Sequence, residues 1–162
     1  ELPAYMSKIG ITPSSGENQA PGSLPQLFAD RFGWEEMVKD FARIYGNMTG
    51  EEKKKTVISV SNYGEAGALN YFSEKYGLPR VFCPHNNHWL WGSSENFDKI
   101  ETVIILGGST EDHLELFEEV TPAGRTLVNP YVMPYEYNST LFIARHPKVS
   151  LRESWKKAKK FI

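Results

Sequence analysis

Apolar residues recur at helical spacing in one early segment of the chain. Trp34, Met37, Val38 and Phe41 occupy positions i, i+3, i+4 and i+7, and the pattern continues to Tyr45 before Gly46 and Asn47 close it. This spacing predicts an amphipathic helix over residues 34–45, whose apolar stripe must cover another element.

Short β-branched runs alternate with further helical patterns. The run "TVISVS" at residues 56–61 predicts a buried strand, and the following segment "AGALNYFSEKYG" puts Leu69, Phe72 and Tyr76 on one helical face. Later runs predict strands at residues 80–83, 102–106, 126–133 and 140–146, with a turn at 137–139. We expect a helix after residue 109, with Ser109 as N-cap and Asp112 at N3, and a closing helix over residues 150–162.

This alternation predicts the fold class and the domain organisation. Strands separated by helices favour an α/β fold, here a layered α/β/α, Rossmann-like domain with a mainly parallel sheet and an antiparallel edge at the C-terminus. We expect one such domain over residues 27–162. The Gly-, Pro- and Ser-rich sequence before it predicts an irregular N-terminal segment, residues 1–26.

Polar residues follow three of the predicted strands. Parallel strands bring their carboxyl ends to one edge of a sheet, where open α/β folds usually bind ligands. The first such segment, "NYGEAG" at residues 62–67, is an ordinary turn and helix cap, or a ligand contact through Asn62, Tyr63 or Glu65. The third, "GGST" at residues 107–110, is most simply a tight turn with an N-cap.

The second segment, "CPHNNHWLWG" at residues 83–92, is the most unusual in composition. Amide and imidazole groups supply forked hydrogen bonds, and indoles supply flat apolar platforms, so the segment suits a saccharide pocket formed by His85, Asn86, Trp89 and Trp91. A packed loop with core tryptophans is the competing interpretation. We expect His85 and Asn86 to hydrogen-bond into neighbouring turns, with Trp89 or Trp91 packed beneath them.

Other chemistry is weakly supported at this segment. Cys83, His85 and His88 could hold zinc, but no second ligand pair follows in the sequence. Cys83 lies in an apolar run and resembles a core residue more than a nucleophile. Glu136, in the segment "NPYVMPYEYN", is a further candidate for the same edge. We predict no catalytic residue, no metal and no cofactor.

Composition limits the partners. A net charge of −2 provides no basic field for nucleic acid, and a single cysteine excludes an internal disulfide framework. The lysines between residues 156 and 160 complement a helix C-terminus or face anionic lipid headgroups. The start without methionine is what we expect of a domain from a longer polypeptide.

Five segments in order resemble one known family. They are "LPQLFADRFGWEEMV", "NYGEAGAL", "YGLP", "HNNHWLWG" and "MPYEYN", and the similarity runs from about residue 24 to the end of the sequence. Together they resemble the soluble C-terminal region of multi-pass membrane glycosyltransferases such as the dolichyl-phosphate-mannose protein mannosyltransferases. Asn87 and His88 depart from the pattern expected in the fourth segment.

The resemblance implies a function and a location. Members of that family use a polyprenyl-phosphate sugar donor, and their catalytic acidic residue lies in a loop among membrane helices that this chain does not include. We therefore expect an extracytoplasmic domain, periplasmic or at the cell surface, that caps the membrane-embedded part of the same polypeptide. The expected partners are that part, the membrane surface and a lipid-linked sugar or glycan acceptor.

Two other functions stay open from the sequence. One is a glycan- or partner-binding module without catalysis. The other is a free-standing α/β hydrolase or transferase, although the G-x-S-x-G nucleophile motif is not found in the sequence.

Overall fold

The computed structural model describes residues 1–15, 20–92 and 96–161. The strands are β1 Thr56–Ser59, β2 Val81–Phe82, β3 Thr102–Leu106, β4 Phe117–Thr126 and β5 Ser139–Pro147. The helices are α1 Leu2–Lys8, α2 Gln26–Ala29, α3 Trp34–Gly46, α4 Gly50–Lys54, α5 Tyr63–Tyr76, α6 Asn87–Gly92, α7 Thr110–Leu114 and α8 Leu151–Lys157, with a 3₁₀ turn at Phe97–Lys99.

The five strands form one open sheet in the order β2-β1-β3-β5-β4. β1 pairs in parallel with both β2 and β3, whereas β5 is antiparallel to both β3 and β4. The predicted α/β class is confirmed, with a parallel centre and an antiparallel C-terminal edge. Because β1, β2 and β3 run the same way, the segments after them leave from one edge of the sheet.

The main core lies between the sheet and the pair α3 and α5. Met37, Val38 and Phe41 of α3 are fully buried against Ile58 of β1 and Ile104 of β3. Leu69 is buried from α5, with Phe72 and Tyr76 packed against the same core, as the helical pattern predicts. On the opposite face, Trp155 of α8 packs with Phe82 and Phe97.

A polar cluster links the outer surfaces of α3 and α5. The Glu35 carboxylate accepts hydrogen bonds of 2.6 Å from both the Lys75 ammonium and the Tyr76 hydroxyl. These two donors lower the pKa of Glu35 to about 2. The contact ties the start of α3 to the end of α5, so the two helices cross the sheet as a pair.

The predictions for the C-terminal half need correction in three places. The helix after Ser109 ends at Leu114, and residues 117–126 form β4 instead of continuing it. Residues 127–133, predicted as a strand with Thr126, form a loop, and Leu127 has a φ of 56°, which a strand does not allow. The side chains of Leu127, Val132 and Met133 are nevertheless buried, which explains the apolar sequence. The closing helix ends at Lys157, and Lys160 pairs with His85 in extended conformation.

The N-terminal segment also differs from its prediction. Residues 11–15 and 20–25 have no helix or strand, but α1 occupies Leu2–Lys8 within the segment predicted to be irregular; residues 16–19 lie outside the described residues. Met6 is the one buried residue of α1, so the helix leaves little periodicity to detect. Met6 and Leu24 pack with Ala29 and Met133, which fastens the segment to the domain.

β4 forms one margin of the sheet and is irregular along its length. It carries Pro122 in its middle, and its register against β5 shifts between Pro122 and Gly124. Proline is tolerated in edge strands, and such shifts bend and twist them.

Within the described residues, no helix is long and apolar enough to cross a bilayer.

Candidate functional site

The turn after β1 is held by a reciprocal cap at the start of α5. The Glu65 amide donates to Asn62 Oδ1 at 2.9 Å, and Glu65 Oε2 accepts from the amides of Asn62 and Ser61 at 3.2 and 3.1 Å. This capping box satisfies backbone donors that the helix leaves unpaired. Asn62 and Glu65 therefore have a structural role at this position.

Glu65 is a buried carboxyl group, with only 6% of its surface exposed. Burial raises its pKa, and the hydrogen bonds from the backbone of Asn62 and Ser61 oppose that shift. Its carboxylate is occupied by the turn and is not among the groups that line the groove beside it. It fixes the shape of the turn.

A groove of about 940 Å³ opens at this edge of the sheet. Its lining includes residues from α3 and the turn before it, the β1–α5 turn, the outer face of α5, the loop after β2, the β4–β5 loop and the C-terminal tail. The volume is within the range of small-molecule sites, which is about 300–1,000 Å³. The edge expected from the sequence thus has a concave surface.

Aromatic rings form much of the groove wall. Trp34, Tyr63, Tyr71 and Tyr135 all line it. The Trp34 indole donates to the Asp30 carbonyl at 2.6 Å, which fixes the ring. Gly64 permits its approach, because a Cβ at that position would lie 3.1 Å from the Trp34 ring.

Polar groups occupy the remaining wall. Asn62 and Asn86 contribute amides, and Asp30 and Glu136 contribute carboxyl groups. Lys160 brings an ammonium group from the C-terminal tail. The groove therefore combines rings with hydrogen-bonding groups.

The loop after β2 is joined to the C-terminal tail by backbone pairing. The Asn86 amide donates to the Lys160 carbonyl at 2.8 Å, and the Lys160 amide donates to the Pro84 carbonyl at 3.0 Å. His85 is buried between them, with its ring 5.0 Å from that of Tyr63. The loop is thus joined through its backbone to a partner distant in sequence, whereas the expected hydrogen bonds of His85 and Asn86 into neighbouring turns stay a prediction.

The two tryptophans of α6 lie elsewhere. The Trp89 ring stacks on Trp155 at 6.5 Å, and its indole N–H donates to the Trp155 carbonyl at 2.9 Å. Trp91 is 58% exposed, and the centre of its ring lies 4.5 Å from that of the His88 ring. Neither tryptophan lines the groove, so neither forms its platform.

The other candidate chemistries find little support. Cys83 is 1% exposed and burial raises the pKa of its thiol, which disfavours the nucleophilic thiolate. Burial, with a smaller effect of His85, lowers the pKa of His88. In the described part of the chain, no group of three or more His, Cys, Asp or Glu side chains could hold a metal ion.

The segment "GGST" leads into α7 and away from the groove. Ser109 caps α7 by accepting from the Asp112 amide at 3.1 Å, as predicted. The His113 ring folds back to within 2.9 Å of the Gly107 carbonyl oxygen. These contacts account for the segment as a turn and cap.

Five of the eight predicted site residues come together in the groove: Asn62, Tyr63, His85, Asn86 and Glu136. Glu65 supports the wall from behind, while Trp89 and Trp91 lie outside. Sequence reasoning missed Trp34 and Tyr71, which belong to helix patterns, and Lys160, which belongs to the tail. The available signal was Tyr71, an aromatic residue that lies off the apolar face formed by Leu69, Phe72 and Tyr76. In the structure it is 81% exposed.

Comparison of the chain with protein-family models, curated proteins and solved structures gives no match.

Proposed function

We propose that this chain is the extracytoplasmic C-terminal domain of an integral-membrane glycosyltransferase and that its groove binds a saccharide. One observation carries the proposal. Four of the five segments that resemble the mannosyltransferase family contribute to the same groove, although they are spread from residue 24 to residue 138. A common binding role accounts for the meeting of four separate segments at one concave surface.

The chemistry of the groove suits a sugar. Tyr63, Tyr71 and Trp34 offer the flat apolar faces on which the C–H side of a pyranose ring packs. Asn62 and Asn86 offer donors and acceptors in the fork that paired hydroxyls require. A site with few, fixed polar groups among rings selects ligands by orientation.

The charge of the groove favours a neutral ligand. Among the described lining residues, the acidic ones are Asp30 and Glu136, of which Glu136 is buried, and the lysine is Lys160. The described lining thus has no surplus of basic residues, which a phosphate site would need. The bound group is therefore the sugar of a lipid-linked donor or of a glycan acceptor, with the polyprenyl phosphate outside the groove.

Catalysis belongs to the membrane-embedded part of the same polypeptide. The buried Cys83 thiol and the Glu65 carboxyl engaged in its capping box leave neither as a reacting group. The domain recognises the donor or acceptor and covers the active site. A free-standing hydrolase or transferase would need a nucleophile paired with a base in the groove.

Titration of the chain with oligosaccharides tests the proposal. Binding should perturb Trp34 fluorescence and the amide resonances of Asn62 and Asn86, and Tyr63→Ala should weaken it about fivefold, since one ring stacked on a ligand contributes on the order of 1 kcal/mol. Tyr137→Ala is the matched control, because Tyr137 is 49% exposed, against 48% for Tyr63, and lies outside the groove lining.

The contrary outcomes are distinct. No response across mannose-, glucose- and amino-sugar-containing glycans at millimolar concentration would refute a saccharide groove. Transfer of sugar from a polyprenyl-phosphate donor by the chain alone would refute the assignment of catalysis to the membrane part and establish a self-contained transferase.

A further inference from the structure

A second surface of the molecule exposes large apolar side chains beside α6. Leu90 is 52% exposed and Trp91 is 58% exposed. Phe161, in the C-terminal tail, is 51% exposed. Exposed apolar patches on a protein surface commonly mark interaction sites.

The structure fixes these residues on one rigid support. Trp89 stacks on Trp155 and donates to its carbonyl, which holds α6 against α8. The tail is held beside α6 by the pairing of Lys160 with Pro84 and Asn86. The exposed rings therefore project from an anchored surface.

The ammonium group of Lys159 lies near two rings of this region. Lys159 Nζ is 5.1 Å from the centre of the Trp89 ring and 4.6 Å from that of Phe161. The Arg80 guanidinium donates to the Trp91 carbonyl at 2.7 Å, which puts a cation at the other end of α6. We call this region, formed by Arg80, α6 and residues 156–161, the basic-aromatic surface.

Charge is segregated to this region of an acidic chain. Residues 150–161 contain five basic residues and one acidic residue, whereas the whole chain has two more acidic than basic residues. The one acidic residue, Glu153, pairs with Lys156 at 2.7 Å. Lys157, Lys159 and Lys160 extend beyond that pair and give the surface a positive potential.

We propose that the basic-aromatic surface binds the headgroup layer of a bilayer that contains anionic lipids. Tryptophan and phenylalanine partition to the boundary between headgroups and acyl chains, and lysine reaches lipid phosphates from the same depth. The lysine beside the rings favours an anionic lipid layer as the occupant of this surface. Attraction to anionic lipid and shallow insertion of rings together describe peripheral membrane binding.

The inference deepens the proposed function by naming the lipid surface that the domain contacts. Lys160 belongs both to the basic-aromatic surface and to the groove lining, so the groove opens beside the membrane. A sugar on a lipid carrier would reach the groove without leaving the headgroup layer. Lipid binding itself does not require that a saccharide occupies the groove.

Flotation of the chain with vesicles tests the inference. We expect association with vesicles of phosphatidylcholine containing 30% phosphatidylglycerol and little association with phosphatidylcholine alone. Each lysine near an anionic surface contributes about fivefold to partitioning, so Lys157→Glu with Lys159→Glu should reduce it at least tenfold. Lys54→Glu is the control, because that side chain is exposed on α4 and lies outside the surface.

A second measurement separates insertion from adsorption. Lipids brominated on the acyl chains should quench tryptophan fluorescence on binding, and Trp91→Phe should remove most of that quenching while flotation persists. Leu90→Ser with Phe161→Ser should weaken flotation about tenfold, and Leu27→Ser, at a residue 74% exposed on α2, should not.

Three results would overturn the inference: no flotation with anionic vesicles, equal flotation of the charge-reversed variant, or undiminished flotation of the Leu90 and Phe161 variant. Saccharide titration measures a separate property. Loss of lipid binding with retained saccharide binding would reject this inference and leave the groove proposal standing.

Discussion

At the scale of single residues, polar side chains at the sheet edge serve two purposes. Asn62 faces the groove and also caps α5, while Glu65 turns inward and ties two backbone amides. The sequence predicted both residues at a strand-to-helix turn, but it could not show that the Glu65 carboxylate accepts hydrogen bonds from two backbone amides of that turn. Side-chain direction decided their roles.

Removing the Glu65 side chain should destabilise the fold. Glu65→Ala leaves the amides of Ser61 and Asn62 without their acceptor, so we expect the free energy of unfolding to fall by about 1–2 kcal/mol. Urea denaturation measures it. Glu74→Ala, at an exposed position of the same helix, should change it by less than about 0.5 kcal/mol.

The pH dependence at Glu65 has a definite sign. Its folded pKa is raised above the ordinary 4.5, so the folded chain retains a proton that the unfolded chain has released. The resulting stabilisation is complete below 4.5 and is lost as pH rises through the folded pKa. We therefore expect the free energy of unfolding of the wild type, relative to that of Glu65→Gln, to fall as pH rises from 4 to 8. Urea denaturation at several pH values measures it, and a difference that stays constant would contradict the expectation.

Gly92 is a second residue whose identity is fixed by its neighbours. A Cβ at this position would lie 2.5 and 2.8 Å from atoms of the Trp155 ring, so Gly92→Ala should cost about 1–3 kcal/mol. Gly67→Ala, inside α5 with no atom within 4 Å of the added Cβ, should instead stabilise by about 0.5–1 kcal/mol. Thermal unfolding compares them, and equal effects would refute the packing explanation.

At the scale of elements, sequence patterns found the buried parts of the fold. α3 has a strong apolar period, and β1, β3 and β5 are short apolar runs, because each presents a face to the core. β4 was missed, since an edge strand containing Pro122 and exposed glutamates lacks such a period. The apolar residues 127–133 resembled a strand because burial selects residue type, whatever the local backbone.

Burial also predicts that α3 is sensitive to substitution. Phe41 is fully buried where α3 meets the sheet, so Phe41→Ala should lower the free energy of unfolding by about 3–5 kcal/mol. Chemical denaturation gives the value. Tyr71→Ala on α5 is the control; Tyr71 is 81% exposed, and a loss above about 1 kcal/mol there would be unexpected.

At the scale of the whole molecule, the groove is an assembly of distant segments. Its wall draws on α3, α5, the loop after β2, the β4–β5 loop and the tail. The parallel order of β1, β2 and β3 was predictable and brings the turn after β1 and the loop after β2 together. The contribution of Lys160 was not, because a tail has no periodic pattern that points to its docking site.

Trimming the tail should loosen the groove without unfolding the domain. Ending the chain after Ala158 removes the partner of the Asn86 amide, so that amide should exchange hydrogen at least about tenfold faster while β3 amides keep their rates. Ending it after Lys160 retains the pairing and is the control. Hydrogen exchange followed by NMR reads both, and unchanged protection of Asn86 would contradict the docking.

The irregular margin of the sheet has a consequence for self-association. A straight strand left open at a rim can recruit the same strand of another copy, the first step towards fibrils. The imino acid at position 122 and the register shift beside it distort the row of donors and acceptors that recruitment would need. The fold thus protects its longest strand from polymerisation by the same distortion that hid it from pattern recognition.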